Sequence, residues 1–385
     1  MISYGKHYID KKDLKSVSNT LNSNWLTQGP KVKTFEDKIK KFLGCKFSLA
    51  VNSGTAALHL ACISLDLKEG DTVLSTPITF LSSVNAALYL NAKPIFIDID
   101  KKNYCIDLNK LEKKLIELKK LKKRIKVLIV TDYAGQMSDW KKIKFLSKKY
   151  NFKTINDNCH SLGSKYHKDQ KYAAKFADVV THSFHPVKLI TTGEGGSLST
   201  NNKKIYEKVL NLRSHGVVRS EYLKKKYGSW FYSMEKLGYN YRMPDINASL
   251  GITQFQKIHK FLKRRKEIAN LYYKGFGKNK NIILPYIEKY CDHSFHLFPI
   301  QINFKKIKIN KKKFFKLMLD KNINLQVHYI PIYLQKYYRN RFKYKPKLCP
   351  VAENFYKNTF SLPVYFSLKK EQVLKTINHI NKFTS

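Results

Sequence analysis

With 385 residues, 43% of them hydrophobic and 13% aromatic, the chain reads as a globular protein long enough for two domains and a large core. No apolar run approaches the ~20 residues of a membrane helix, and the start, MISYGKHYIDKKDLK, lacks the apolar stretch of a signal peptide, so a soluble cytosolic protein is expected. The net charge of +45 suggests a nucleic-acid partner, but only eight of the 73 basic residues are Arg, the side chain that makes bidentate and stacked contacts, and the Lys are scattered along the whole chain; the charge reads as compositional bias and solvated helix faces such as KKLIELKKLKKRIK (113–126), with weak polyanion binding still open.

From about residue 45 to 200, short apolar runs alternate with helical patterns. FSLAV (47–51) precedes GTAALHLACISL (54–65), and TVLST (72–76) precedes TFLSSVNAALYL (79–90). PIFIDI (94–99) precedes a charged amphipathic stretch, and KVLIVTDY (126–133) precedes WKKIKFLSKKY (140–150). FKTIND (152–157) and DVVTHSF (178–184) complete the set, with one more short strand after the glycine run 193–196. This alternation predicts right-handed βαβ units, an α/β fold with a largely parallel sheet, and ligands beyond the carboxyl ends of its strands. Residues 203–275 read as helices leading into a second domain. From about 290 a smaller α+β unit follows, with HLFPIQINF (296–304), a helix near 311–320 and LQVHYIPIY (325–333). The six cysteines (Cys45, Cys62, Cys105, Cys159, Cys291 and Cys349) form no CxxC pair; reduced thiols and no metal are expected.

Three segments carry candidate chemistry. In VNSGTAALHLA (51–61) a strand ends and Ser-Gly-Thr opens a helix, whose free N–H groups and dipole suit an anion; Gly54 allows close approach and Thr55 adds a hydroxyl. Alone, the same residues also read as an ordinary N-cap. In TINDNCHSLGS (154–164) Asp157 ends an apolar strand, where a carboxylate needs a partner, and His160 could orient it or a cationic ring. A capping Asp and a core His fit equally. In THSFHPVKLITTGEGGSLST (181–200) Ser183 and His185 follow a strand and Lys188 follows them; a partly desolvated lysine can lose its proton and attack a carbonyl, whereas a turn lysine at the surface does nothing of the kind. In order, these are handles for the phosphate, ring nitrogen and aldehyde of pyridoxal 5′-phosphate. Phe80, in PITFLSS (77–83), could stack on the ring or pack in the core.

With these residues in view, the chain resembles the DegT/DnrJ/EryC1/StrS sugar aminotransferases over nearly its whole length. The resemblance rests on WLTQGPKVKTFE (25–36), NSGTAALHL, TPITFLSSVNA, TDYAGQ (131–136), NDNCHSLGS, SFHPVKLITTGEGG, RSHG (213–216), GYNYRMPDINASLG (238–251) and QVHYIPIY (326–333). It implies a fold-type I transferase, aspartate aminotransferase-like, with an N-terminal arm (1–13), a large cofactor-binding domain (14–255) and a small C-terminal α+β domain (256–385). It implies Lys188 as Schiff-base lysine and proton shuttle, Asp157 on the pyridinium nitrogen, Phe80 on the ring face and His160 in support. Gly54, Thr55 and Ser183 would hold the phosphate, joined by Asn240 from the other subunit of a homodimer. Tyr4, Asn24, Trp25, Leu26 and Thr27 would line the sugar-nucleotide pocket with Gln326, Val327, His328 and Tyr333. Within the family the chain is most similar to the pseudaminic-acid branch, implying amino transfer from L-glutamate to C4 of a UDP-linked 4-keto-6-deoxy-N-acetylhexosamine. Asn156 and Pro186-Val187 depart from common family patterns without touching a required role.

The alternatives are a same-family aminotransferase on a GDP- or dTDP-4-keto-6-deoxy sugar, a dehydratase relative, and a basic nucleic-acid-binding protein. Dehydratase relatives carry His in place of the lysine, which Lys188 argues against. The ordered cofactor motifs speak against a nucleic-acid binder.

Overall fold

Seven of the apolar runs become strands of one central sheet: β1 (Phe47–Val51), β2 (Thr72–Ser75), β3 (Lys93–Phe96), β4 (Ile125–Thr131), β5 (Lys153–Asp157), β6 (Val179–Ser183) and β7 (Gly196–Thr200). In the computed structural model, which describes residues 1–384, their order is β1-β7-β6-β5-β4-β2-β3. All neighbours are parallel except β7, which runs antiparallel to both β1 and β6. The exception has a simple cause: the connection from β6 to β7, residues 184–195, forms no crossover helix, so the chain folds back and pairs antiparallel. The α/β fold with a mostly parallel sheet is as the sequence predicts.

Strand periodicity assigns the two faces. On β4, Leu128 and Val130 join one core while Val127 and Ile129 join the other. Such a strand is buried on both sides, which is why it reads as an unbroken apolar run. Helices Pro30–Leu43, Leu108–Lys120 and Trp140–Tyr150 supply the first core through Phe35, Leu111 and Trp140. Helices Gly54–Ser64 and Lys203–Leu212 supply the second through Leu58, Leu60 and Val209. Asp107, Asp139 and Asn202 start three of these helices by accepting first-turn N–H groups.

Beyond residue 257 the chain builds a second body. An antiparallel sheet of β8 (Ile282–Ile283), β9 (Phe298–Ile302) and β10 (Thr359–Leu362), in the order β8-β9-β10, is covered by helices Ile258–Phe276, Lys311–Asp320 and Lys370–Thr384. Its core gathers Ile268, Phe298, Phe314 and Ile377, and Ile2 at the N-terminus joins it. A further apolar cluster takes Ile78, Phe96 and Tyr133 from the first body and Leu297, Ile332 and Phe355 from the second, fixing the two around a cleft.

Two stretches differ from their sequence reading. Residues 203–275 are not continuously helical: between helices Lys203–Leu212 and Asp245–Gln256, the pair Val217–Val218 bonds antiparallel to Ser233–Met234, around a short helix Glu221–Tyr227. The adjacent β-branched Val217 and Val218 favour extended backbone over helix. LQVHYIPIY forms no strand; Pro331 supplies no N–H for a ladder, and the run ends in a single 3₁₀ turn, Ile332–Leu334. Among the described residues no helix is long and apolar enough to cross a membrane.

Candidate active site

Parallel strands of alternating layers end on one edge of the sheet, and here that edge is polar. β2 ends at Ser75, β4 at Thr131, β5 at Asp157 and β6 at Ser183, just where βα loops leave the sheet. β1 leads into the helix Gly54–Ser64. Ser53 caps it by accepting the Ala56 N–H at 3.0 Å, and the earlier N–H groups have no partner within the helix. Two glycines let the backbones close in. A Cβ on Gly54 would lie 2.7 Å from the Ser183 Cβ, and one on Gly196 would lie 2.4 Å from the Ser53 carbonyl oxygen. The result is a tight cradle of N–H and hydroxyl groups at a positive helix terminus. Gly54→Ala forces Ser183 out of that cradle, and overpacking of about 1–3 kcal/mol predicts roughly tenfold or weaker retention of a phosphorylated ligand, read by titration against the wild type.

Asp157 is buried. Its Oδ2 accepts from the Ser83 hydroxyl at 2.5 Å and from Thr131 at 3.5 Å, and Oδ1 accepts the Cys159 N–H at 3.3 Å. Thr79 ties these hydroxyls together, 2.8 Å from Ser83 Oγ and 2.7 Å from Thr131 Oγ1. The carboxylate is therefore fixed in direction but, among the described residues, pairs with no cationic side chain.

Lys188 sits in the turn between β6 and β7. The turn is closed on Phe184, whose carbonyl accepts from Thr192 N–H and Thr191 Oγ1, both at 3.0 Å. The Lys188 N–H donates to the His185 carbonyl at 2.8 Å. Its Nζ makes no hydrogen bond or ion pair among the described residues. Burial pushes its amine below the ordinary lysine value, with Cys159 and Asp157 pulling the other way. A neutral amine is the nucleophilic form.

These groups meet in one cleft of about 590 Å³. Gly54, Thr55, Asp157, His160, Ser183 and Lys188 line it, with Phe80, Tyr4, Gln326, Val327 and His328 toward its other walls. Phe80 is 54% exposed and lies in the loop before helix Ser82–Leu88, facing the cleft rather than a core. The Tyr4 ring is 5.3 Å from His328, and His328 Nδ1 lies 2.9 Å from Ser361 Oγ.

Other expected residues lie elsewhere. Tyr333 is a correction: it is fully buried, with its hydroxyl donating to Glu353 at 2.6 Å, so the core claims it and not the pocket. Asn24, Trp25, Leu26, Thr27 and Asn240 do not line this cleft and are exposed. His160 is in place but does not bond the carboxylate. Its Nδ1 accepts the Ala134 N–H at 3.4 Å, which puts the proton on Nε2, 3.1 Å from the Tyr329 hydroxyl. Burial, with Lys188 and His328 adding to it, holds His160 neutral, well below its ordinary value.

Sequence reasoning gave no role to Ser83, Thr79, Thr131, Cys159, His296 or Tyr329. The hydroxyls were visible as polar residues flanking strand ends; nothing in spacing could show that His296, arriving from the second body, packs its ring, tilted by 36°, 4.4 Å from that of His160.

The residues fit pyridoxal 5′-phosphate. The glycine-lined helix start suits a phosphate, the oriented and unpaired Asp157 suits a protonated ring nitrogen, and Lys188 is an unengaged amine on the wall of the same cleft.

A model of the DegT/DnrJ/EryC1/StrS aminotransferase family matches residues 7–381. A UDP-4-amino-4,6-dideoxy-N-acetyl-beta-L-altrosamine transaminase of Campylobacter jejuni is 39% identical over 377 residues, which cover 97% of this chain and 96% of that one. Among solved structures, Helicobacter pylori PseC, an aminotransferase involved in the biosynthesis of pseudoaminic acid, matches with a TM-score of 0.90 at 31% identity, over 100% of this chain and 99% of its own. Streptococcus pneumoniae Spr1654, solved in its PMP form, matches with a TM-score of 0.90 at 27% identity, again over 100% and 99%.

Proposed function

This chain belongs to the DegT/DnrJ/EryC1/StrS aminotransferase family, and on that premise we propose that it moves an amino group from L-glutamate to C4 of a UDP-linked 4-keto-6-deoxy-N-acetylhexosamine, a step of pseudaminic acid biosynthesis. The observation that carries the reading is the meeting of Lys188, Asp157 and the Gly54 helix start in one cleft. The substrate class rests on the relatives.

Pyridoxal 5′-phosphate, when bound, supplies a carbonyl for amines to add to and an electron-withdrawing ring that spreads carbanion charge. The protein's own groups do the rest. The N–H groups at Gly54 and Thr55 and the Ser183 hydroxyl hold the phosphate. Asp157, locked by Ser83 and Thr131, keeps a proton on the ring nitrogen. Phe80 covers one ring face, and neutral His160, aimed by Ala134 and Tyr329, supports the site. Lys188 Nζ, depressed by desolvation, takes the proton from the α-carbon of glutamate and delivers it in the first half-reaction, then works in reverse for the sugar. Tyr4, Gln326, Val327 and His328 are placed to contact the sugar nucleotide.

The same reading takes the enzyme as a homodimer. Trp25 and Leu26 are 54% and 46% exposed, and Asn240 is exposed beside the ribbon of residues 217–234, so these residues serve the partner's cleft rather than their own. A cytoplasmic location goes with it, since that compartment keeps the six free thiols reduced.

Product analysis with L-glutamate and a panel of nucleotide 4-keto sugars tests the substrate. The UDP-linked 4-keto-6-deoxy-N-acetyl sugar should turn over fastest, with 2-oxoglutarate formed in equal amount; preference for a GDP or dTDP sugar replaces the assignment with its same-family alternative.

A further inference from the structure

Among the described residues, four histidines line the cleft, His160, His185, His296 and His328, and no arginine does. Three of the four are engaged. His160 is held between the Ala134 N–H and the Tyr329 hydroxyl. His185 Nδ1 accepts the Val187 N–H at 3.4 Å, and its Nε2 lies 4.0 Å from Glu194. His328 Nδ1 meets Ser361. His296 is the exception: neither of its ring nitrogens has a hydrogen-bond partner among the described residues, and Nδ1 is closed off from solvent. We propose that His296 binds the α-carboxylate of the amino donor through Nε2. This rests on the aminotransferase reading and goes beyond it, to the residue that tells an amino acid from a plain amine.

Position is the first reason. His296 is 7% exposed and arrives from the second body just before β9, its ring beside that of His160. With Nδ1 buried, Nε2 is the nitrogen left open, and the cleft is what His296 lines. Lys188, which takes the α-proton of the donor, is close enough to act on the His296 ring. The carboxylate carbon is bonded to that same α-carbon, so its oxygens fall at this end of the cleft.

Charge is the second reason. A carboxylate brought into a cleft costs free energy unless donors meet it. Behind His296, Arg265 donates to the His296 carbonyl at 3.1 Å and otherwise, among the described residues, only to the carbonyls of Phe295 and Val364. Burial lowers Arg265 only to about 10, so it stays charged at neutral pH. Burial, with His160, Lys188, Arg265 and His328 adding to it, holds the His296 ring neutral, well below its ordinary value. A neutral imidazole carries one N–H, and with no partner at either nitrogen an anion at Nε2 selects the tautomer that donates to it. A sugar hydroxyl accepts the same bond but brings no charge to this basic wall. The cofactor's phosphate has its own place at the Gly54 helix start.

Two amines test the assignment on enzyme loaded with pyridoxal 5′-phosphate, their dissociation constants read from the cofactor's absorbance immediately on mixing. α-Methyl-L-glutamate has no α-hydrogen and binds without turning over; 4-aminobutanoate keeps the distal carboxylate and lacks the α-carboxylate. His296→Leu should weaken α-methyl-L-glutamate roughly tenfold or more and leave 4-aminobutanoate within about twofold. His296→Gln, whose amide keeps an N–H, should restore most of the loss, and KM for the keto sugar should move in neither variant. In crystals of the wild-type enzyme with α-methyl-L-glutamate, a carboxylate oxygen should lie within hydrogen-bond distance of His296 Nε2, which decides the matter should neither variant fold. Equal weakening of both amines, no weakening, or an α-carboxylate held elsewhere overturns the proposal. When the cofactor's absorbance is normal, that failure is confined to His296; absence of the absorbance in the wild type strikes the aminotransferase reading, and this site with it.

Discussion

Lys188→Ala yields a folded protein that does not transaminate. Loss of the proton carrier alone removes about 10²–10⁴ of rate, and loss of the lysine that lines the cleft with the strand-end Asp removes the covalent attachment as well. Folding should not suffer, because the Nζ makes no hydrogen bond and its desolvation is uncompensated. The pH dependence of stability gives a second signature. The folded value of Lys188 lies below the ordinary 10.5, so between the two the unfolded chain binds the extra proton. Stability contributed at this site therefore rises with pH across that window, and the alanine variant loses that slope. Activity, visible absorbance of the cofactor-loaded protein and melting curves across pH measure all three. A variant that retained turnover would move the chemistry to another residue.

Asp157→Ala should bind the cofactor weakly and turn over about 10²–10⁴-fold more slowly. The carboxylate is the acceptor that organises Ser83, Thr131 and the Cys159 N–H, so its removal also leaves buried donors unmatched, at about 1–3 kcal/mol each. Asp157→Asn separates the two effects. The amide keeps the volume and one acceptor but has no negative charge to hold a ring proton, so stability should return further than rate. Equilibrium titration with pyridoxal 5′-phosphate and single-turnover rates with glutamate read the difference. Full activity in either variant would mean that another group partners the ring.

Much of this site was legible because its parts sit at fixed places in a βαβ pattern. An apolar run that stops at Asp157, a Ser-Gly-Thr helix start and a glycine-rich turn after β6 each mark the carboxyl edge of a parallel sheet. What sequence could not resolve was which of two roles a residue takes when both are locally satisfied. Tyr333 lies in the same motif as His328, yet one packs against Glu353 and the other lines the cleft; a bend of the chain at Pro331 separates them. His160 looked like a partner for Asp157 from three residues away, but the turn after β5 directs its ring to Tyr329, some 170 positions later, a long-range contact that local spacing does not encode. The ribbon of residues 217–234 was hidden by charged residues at helical spacing around it, and only its pairing shows the break.

The central claim is a covalent bond at one nitrogen. Protein supplied with pyridoxal 5′-phosphate, reduced with borohydride and digested, should carry a single phosphopyridoxyl group on the peptide containing Lys188, and the Lys188→Ala protein should carry none there. A reduced adduct spread over the many other lysines, with the Lys188 peptide unmodified, would contradict the account.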